Sequence, residues 1–222
     1  MPPHDTDAFL HLARVASGPR ILVLFGSCRT VSRSRLLALE ARNSLLQCGA
    51  DVAVFDPCGL PLDGNECKNH PKLAELHRLV SWSDGQVWCS PEHHSTMSGV
   101  MKLALDCFPC DQKGRSLARG KVLSVMQVAG GPMSGNAVQD MQRAGRSMGM
   151  YLASHQVSVG EAGRQFGADG RLVRPELQTR LEDAMSELVG LALLFRENAG
   201  WLADGLRDAR RTEPSIALAA SG

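Results

Sequence analysis

Four short apolar runs recur along this chain, each followed by a segment of helical period. They are Ile21–Phe25 (ILVLF), Asp51–Phe55 (DVAVF), Gly85–Cys89 (GQVWC) and Lys121–Val128 (KVLSVMQV). Continuous apolar runs of this length predict parallel strands buried on both faces. After the first, SRLLALEARNSLLQCG places Leu37, Ala41, Leu45 and Cys48 on one helical stripe, and Gly49 supplies the stop. Pro57, Gly59, Pro61 and Gly64 then mark a long loop. His70–Ser83 carries Leu73, Leu76 and Val80 at helical spacing, and Met97–Phe108 reads as a helix ended by Pro109. Asn136 and Gln139 form a capping-box pattern that opens a helix to about Met148. Tyr151–Val159 is a weaker fifth strand, and Pro175–Arg196 is a long helix with Leu177, Leu181, Ala184, Leu188, Leu191 and Phe195 on its stripe.

Strands alternating with helices predict an α/β fold: a doubly wound, five-stranded parallel sheet in the order 2-1-3-4-5. The expected organisation is an N-terminal extension over 1–19, one domain over 20–198, and a C-terminal helix with a disordered tail over 199–222. Net charge is +1 and aromatics make up 5% of the chain, so neither a nucleic acid nor an acidic membrane surface is an expected partner. The N-terminus MPPHDTDAFL has no cationic start and no apolar run, and no segment has the length of a bilayer span. A cytoplasmic location is expected. Seven scattered cysteines then read as reduced thiols rather than as a disulfide framework.

In the order 2-1-3-4-5, ligands bind beyond the C-terminal ends of strands 1, 3 and 4. Three loops meet there: Gly26–Arg35, Ser90–Ser98 and Ala129–Gly135. The first, GSCRTVSRSR, lies between strand and helix, where backbone amides and the helix dipole favour an anion. It lacks the Gly-x-Gly-x-x-Gly spacing of a dinucleotide loop and the Gly-Lys of a Walker loop. It offers the hydroxyls of Ser27, Ser32 and Ser34 and the guanidiniums of Arg29, Arg33 and Arg35. That set suits a phosphate monoester. Each hydrogen bond to a charged group contributes roughly 1.5–3 kcal/mol, so a few anchor a mononucleotide without metal. The plain alternative is a polar loop of solvated arginines. In the second loop, adjacent His93 and His94 are poorly spaced for a metal, since helical ligand pairs sit at i, i+4. Lining a planar ligand through main-chain groups fits better. The glycines of AGGPMSG permit close backbone approach to a flat ring. A phosphate at the first loop with a flat ring between the other two describes FMN.

The segments GSCRTVSRSRLL, FDPCGLPL, GQVWCSPEHHSTMSGVMK and VMQVAGGPMSGNAV resemble the ArsH family, the arsenical-resistance branch of NADPH-dependent FMN reductases. The resemblance runs through AGRSMGM to HQVSVGEA and covers roughly residues 20–196. It implies a flavodoxin-like fold, tightly held FMN, NADPH as donor, and a homo-oligomer, a tetramer or dimer. By position it implies that Ser27, Arg29, Ser32 and Ser34 hold the phosphate, with Arg35 beside them. Pro91, Glu92, His93, His94 and Ser95 then pass along the ribityl chain and ring, and Ala129, Gly130 and Gly131 meet the ring from the other side. The chain departs from the family pattern at Ser95, where glycine is usual, at Ala129, where serine is usual, and at Cys107, where tryptophan is usual. Gly149, Ser154 and His155 replace an arginine and a Pro-Asn pair.

The expected reaction passes a hydride from NADPH to FMN and then to an acceptor such as a quinone, azo dye, metal ion or oxygen. Oxidation of trivalent organoarsenicals is the other activity that the resemblance implies. Because the flavin carries this chemistry, no catalytic side chain and no metal are expected. The alternatives are an FMN-binding electron carrier, a thiol or metal sensor, and a flavin-less relative. Carriers of the flavodoxin type are usually acidic and aromatic-rich, unlike this chain. Cys107-Phe-Pro-Cys110 has the spacing of redox and zinc motifs, but it falls at a helix C-terminus, where the dipole opposes thiolate. It reads as packing, or as a soft thiol pair offered to a thiophilic substrate.

Overall fold

The computed structural model describes residues 18–61, 70–132 and 135–199. Its strands are β1 (Arg20–Phe25), β2 (Asp51–Phe55), β3 (Gly85–His93), β4 (Thr96–Met97), β5 (Val122–Val128), β6 (Tyr151–Leu152) and β7 (Val157–Val159). Its α-helices are α1 (Arg33–Gln47), α2 (Pro71–Trp82), α3 (Gly99–Asp106), α4 (Asn136–Ser147) and α5 (Pro175–Glu197), with a short 3-10 turn at Ala162–Arg164. Most of the expected N-terminal extension and C-terminal tail lies outside the described residues.

The sheet runs β2-β1-β3-β5-β6, all parallel, with β7 also parallel to β5. Alternation along each strand divides the core in two. Ile21, Val23, Phe25, Val87 and Cys89 face Leu37 and Leu45 of α1 and Leu181 and Leu188 of α5. Leu22, Leu24, Trp88 and Leu123 face Leu76 of α2, Met101 of α3 and Met141 of α4. This is the doubly wound, flavodoxin-like α/β arrangement. Among the described residues, no helix is long and apolar enough to cross a membrane.

The strand order differs from 2-1-3-4-5 in two details. First, the segment after the third strand is not a loop. β3 continues to His93 and turns back as β4, pairing Glu92 with Met97 and His93 with Thr96. His94 and Ser95 form the two-residue turn with positive φ, 50° and 61°. That is the conformation of a type I′ hairpin, which favours glycine at its second position. The expected helix over 97–108 therefore begins only at Gly99, with Ser98 as its cap. Second, the expected fifth strand is split. The amides of Ser154 and His155 donate to the Glu187 carboxylate of α5, at 2.9 and 2.8 Å, instead of continuing a ladder. The capping box at Asn136 does not form either. Gly135 is the cap residue, and Asn136 lies inside α4, its amide group 3.5 Å from Glu92 Oε1.

Glu187 thus fastens α5 to the last strand position, aided by His155 Nδ1 at 2.8 Å. Partial desolvation raises its carboxyl pKa, but hydrogen bonds from the His155 and Ser154 amides and the His155 ring outweigh that and bring it down to about 2. A folded-state value below the ordinary one makes this contribution complete at neutral pH and lost as the pH falls toward about 2. Glu187→Gln is expected to lower the urea midpoint at neutral pH. The gap to wild type should narrow as the pH falls from about 5 to about 2. A gap independent of pH would show that the carboxylate charge is not what fastens the helix.

Candidate active site

The C-terminal edge of the sheet is held together by one backbone position, Gly26. Its amide donates to the Cys89 carbonyl at 2.9 Å, carrying the β1–β3 pairing one residue past the strand. Its carbonyl accepts from Ser98 Oγ at 2.7 Å. A Cβ on Gly26 would lie 2.6 Å from that oxygen and 2.9 Å from Met101 Cβ, so only glycine allows the approach. Ser98 Oγ also accepts from the Met101 amide at 3.1 Å, capping α3. Its own amide donates to Ser90 Oγ at 2.9 Å, and Ser90 donates to the Pro91 carbonyl at 2.9 Å. Ser90 and Ser98 are both buried. Two hydroxyls thereby fix the first loop against the β3–β4 hairpin.

Beyond Gly26 the chain enters α1 through Ser32. This N-cap has extended backbone, and its Oγ accepts from the Arg35 amide at 3.1 Å. Ser32 Oγ also lies 3.1 Å from Ser34 Oγ. Both serines are buried, Ser34 to 1% exposure, so Ser34 faces the site through Ser32 rather than from the surface. Ser27 is half-buried, with its hydroxyl accepting from the Arg29 amide at 3.3 Å. Arg29 and Arg35 are exposed, and the Arg35 guanidinium lies over the Phe25 ring at 5.7 Å. Arg33, not counted among the anchors, leans on the Phe166 ring at 5.9 Å. The first turn of α1 contains no acidic residue. Its positive end is therefore left uncompensated by its own helix and suits an anion.

The hairpin supplies the second wall. Pro91 still pairs with Val128, and Glu92 accepts from Gln127 Nε2 at 3.0 Å. Gln127 in turn accepts from the Val138 amide at 3.0 Å, which locks β3, β5 and α4 together. Thr96 and Arg143 both hydrogen-bond the Asp140 carboxylate. Thr96, Arg143 and the Met97 amide keep that carboxyl below its ordinary range against some desolvation. His93, His94 and Ser95 are exposed at the hairpin tip. Among the described residues, no three His, Cys, Asp or Glu side chains gather to hold a metal.

The third wall follows β5. Ala129 is buried, and its amide donates to the Val159 carbonyl at 2.8 Å. Its carbonyl accepts from Ala162, and the Gly131 carbonyl accepts from Glu161 at 2.7 Å. Gly130 and Gly131 are exposed, and a Cβ on either would meet nothing within 4 Å. Open backbone here leaves room for a flat ring. Residues 133 and 134 lie outside the described residues. Sequence reasoning placed all three walls but missed the polar groups that join them: Ser90, Ser98, Gln127, Asp140 and Glu161. The one available signal was Ser98-Gly-Val-Met101, an N-cap serine three residues before a buried methionine.

Ser98→Ala removes a helix cap and the donor to Gly26 together. It should destabilise the protein by about 1–3 kcal/mol in urea unfolding. A loss below about 0.5 kcal/mol, the range of an ordinary surface change, would contradict its place at the junction.

Comparison with known proteins identifies the family. A family model described as NADPH-dependent FMN reductase matches residues 19–164. The NADPH-dependent FMN reductase ArsH of Rhizobium meliloti (strain 1021) is 47% identical over 200 residues, 90% of this chain and 82% of the relative. That of Acidithiobacillus ferrooxidans is 45% identical over 186 residues, 84% of this chain and 78% of the relative. Among solved structures, the flavoenzyme FerB of Paracoccus denitrificans superposes with a TM-score of 0.68 at 17% identity, covering 78% of this chain and 97% of FerB, a likeness of fold. The chain belongs to the ArsH family of NADPH-dependent FMN reductases, enzymes whose cofactors are FMN and NADPH.

Proposed function

We propose that the FMN phosphate is seated at the N-terminus of α1, and that the ring lies between the β3–β4 hairpin and the Ala129–Gly131 edge. The observation that carries this reading is the start of α1: a buried hydroxyl cap at Ser32, exposed guanidiniums at Arg29 before it and Arg35 after it, and no carboxylate in the first turn. Ser27, Ser32 and the guanidiniums of Arg29 and Arg35 contact the phosphate. Ser34 orients the Ser32 hydroxyl. Main-chain groups of Pro91, Glu92, His93, His94 and Ser95 follow the ribityl chain and one ring edge. Gly130 and Gly131 leave the opposite edge open, and Ala129 backs it. Bound FMN supplies the hydride acceptance from NADPH and the delivery of electrons onward.

The protein contributes position rather than acid–base chemistry. Gly26, Ser90 and Ser98 hold the phosphate loop at a fixed distance from the hairpin. Glu92 and Gln127 hold the hairpin against β5. The acceptor occupies the open side after NADPH has left, and a small flat acceptor such as a quinone or azo dye is the class to assay first. Metal ions, oxygen and trivalent organoarsenicals are further arms of the same assay. A homo-oligomer, tetramer or dimer, is part of this reading.

The test is the visible spectrum of the purified protein, NADPH oxidation with each acceptor, and the variant Arg29→Ala. Losing one charge-assisted contact of roughly 1.5–3 kcal/mol should weaken FMN binding about tenfold or more, with NADPH turnover restored by excess FMN. Unchanged FMN content after dialysis would move the phosphate away from this loop.

A further inference from the structure

Two thiols meet beside this loop and have no part in the reductase reading. Cys28, after β1, and Cys58, after β2, are both exposed. β1 and β2 are parallel neighbours with Leu24 opposite Phe55. The two chains therefore leave the sheet side by side, and Cys28 and Cys58 follow at nearly equal distances from that pair. Neighbouring strands run about 4.8 Å apart, within the Cα separation that a disulfide spans.

The side chains agree with what the register sets up, because Cys28 lies near enough to be the leading influence on the Cys58 thiol. The turn that presents Cys58 is well fixed. Asp56 Oδ1 accepts from the Cys58 amide at 3.0 Å, Leu60 donates to the Pro57 carbonyl at 3.2 Å, and Gly59 has φ 86°. The neighbouring Cys28, followed by desolvation and Asp56, pushes the Cys58 thiol up to about 12. Cys28, next to Arg29 in the loop that leads into α1, is the sulfur that attacks first, and Cys58 resolves.

We propose that Cys28 and Cys58 form a redox modification site that exchanges with a small disulfide, for which glutathione disulfide is the probe. Cys28 gives its proton to solvent as its sulfur bonds to one glutathione sulfur and expels the other as thiolate. Cys58 then loses its proton to solvent and attacks the Cys28 sulfur of this mixed disulfide, expelling the second glutathione. Two protein thiols are oxidised to one disulfide, and one glutathione disulfide is reduced to two thiols. The bond ties the loop before α1 to the turn after β2. If the phosphate seat is as proposed above, it slows FMN release severalfold.

The experiment treats the full-length holoprotein, freed of reductant, with glutathione disulfide, alkylates what remains, and maps peptides by mass. The expected result is a Cys28–Cys58 link, with two alkylatable thiols lost and no glutathione retained. Cys58→Ser should instead carry one glutathione on Cys28. Wild-type protein that keeps both thiols free, that retains glutathione on either, or whose link falls on Cys107 and Cys110 overturns the proposal. The peptide map does not depend on FMN, so it fails or succeeds separately from the phosphate seat. FMN release at the same rate before and after linkage would remove the coupling to that seat.

Discussion

The site depends on a contact that has no side chain on one of its partners. Gly26 lets the end of β1, the Cys89 carbonyl and the Ser98 hydroxyl occupy one small volume. Any Cβ there would push against Ser98 and the first turn of α3. Because Ser98 also caps α3 and is held by Ser90, the loop before α1, the hairpin and a core helix share one rigid junction. If the flavin is anchored on the loop as proposed, it is held at a fixed offset from the hairpin and the β5 edge. Position is the main thing such an enzyme adds to its cofactor.

Electrostatics at the loop follow from what is missing as much as from what is present. The first turn of α1 holds Arg33, Ser34 and Arg35 with no carboxylate, and α1 packs its stripe of Leu37, Ala41 and Leu45 under β1 and β3. The burial of Ser32 and Ser34 pins the start of the helix, so its dipole points at a fixed place. Exposed Arg29 and Arg35 add positive charge around that fixed point. A rigid polar floor with a cationic rim recognises a phosphate better than either alone.

Much of this was legible in the sequence, and the reason is periodicity. Buried parallel strands appear as apolar runs, amphipathic helices as stripes, and the chain order of the two fixes where the three loops meet. The rest was not legible because it rests on partners distant in the chain. Glu187 looks like one more polar residue on a helix, yet it takes the amides of Ser154 and His155 and splits the last strand. His94-Ser95 lacks the Asn-Gly signature of a two-residue hairpin, so a turn with positive φ at both residues reads as a loop. Asn136 matches a capping pattern, but it sits inside α4 and turns toward Glu92.

The central claim is that the phosphate, rather than the ring, anchors the flavin. The direct measurement is the affinity of the flavin-free protein for FMN against riboflavin, which differ only in that phosphate. Two or more charge-assisted contacts of roughly 1.5–3 kcal/mol predict FMN binding at least about a hundredfold tighter, with a gap that shrinks as salt is raised. Equal affinity for the two flavins, insensitive to salt, would contradict the account.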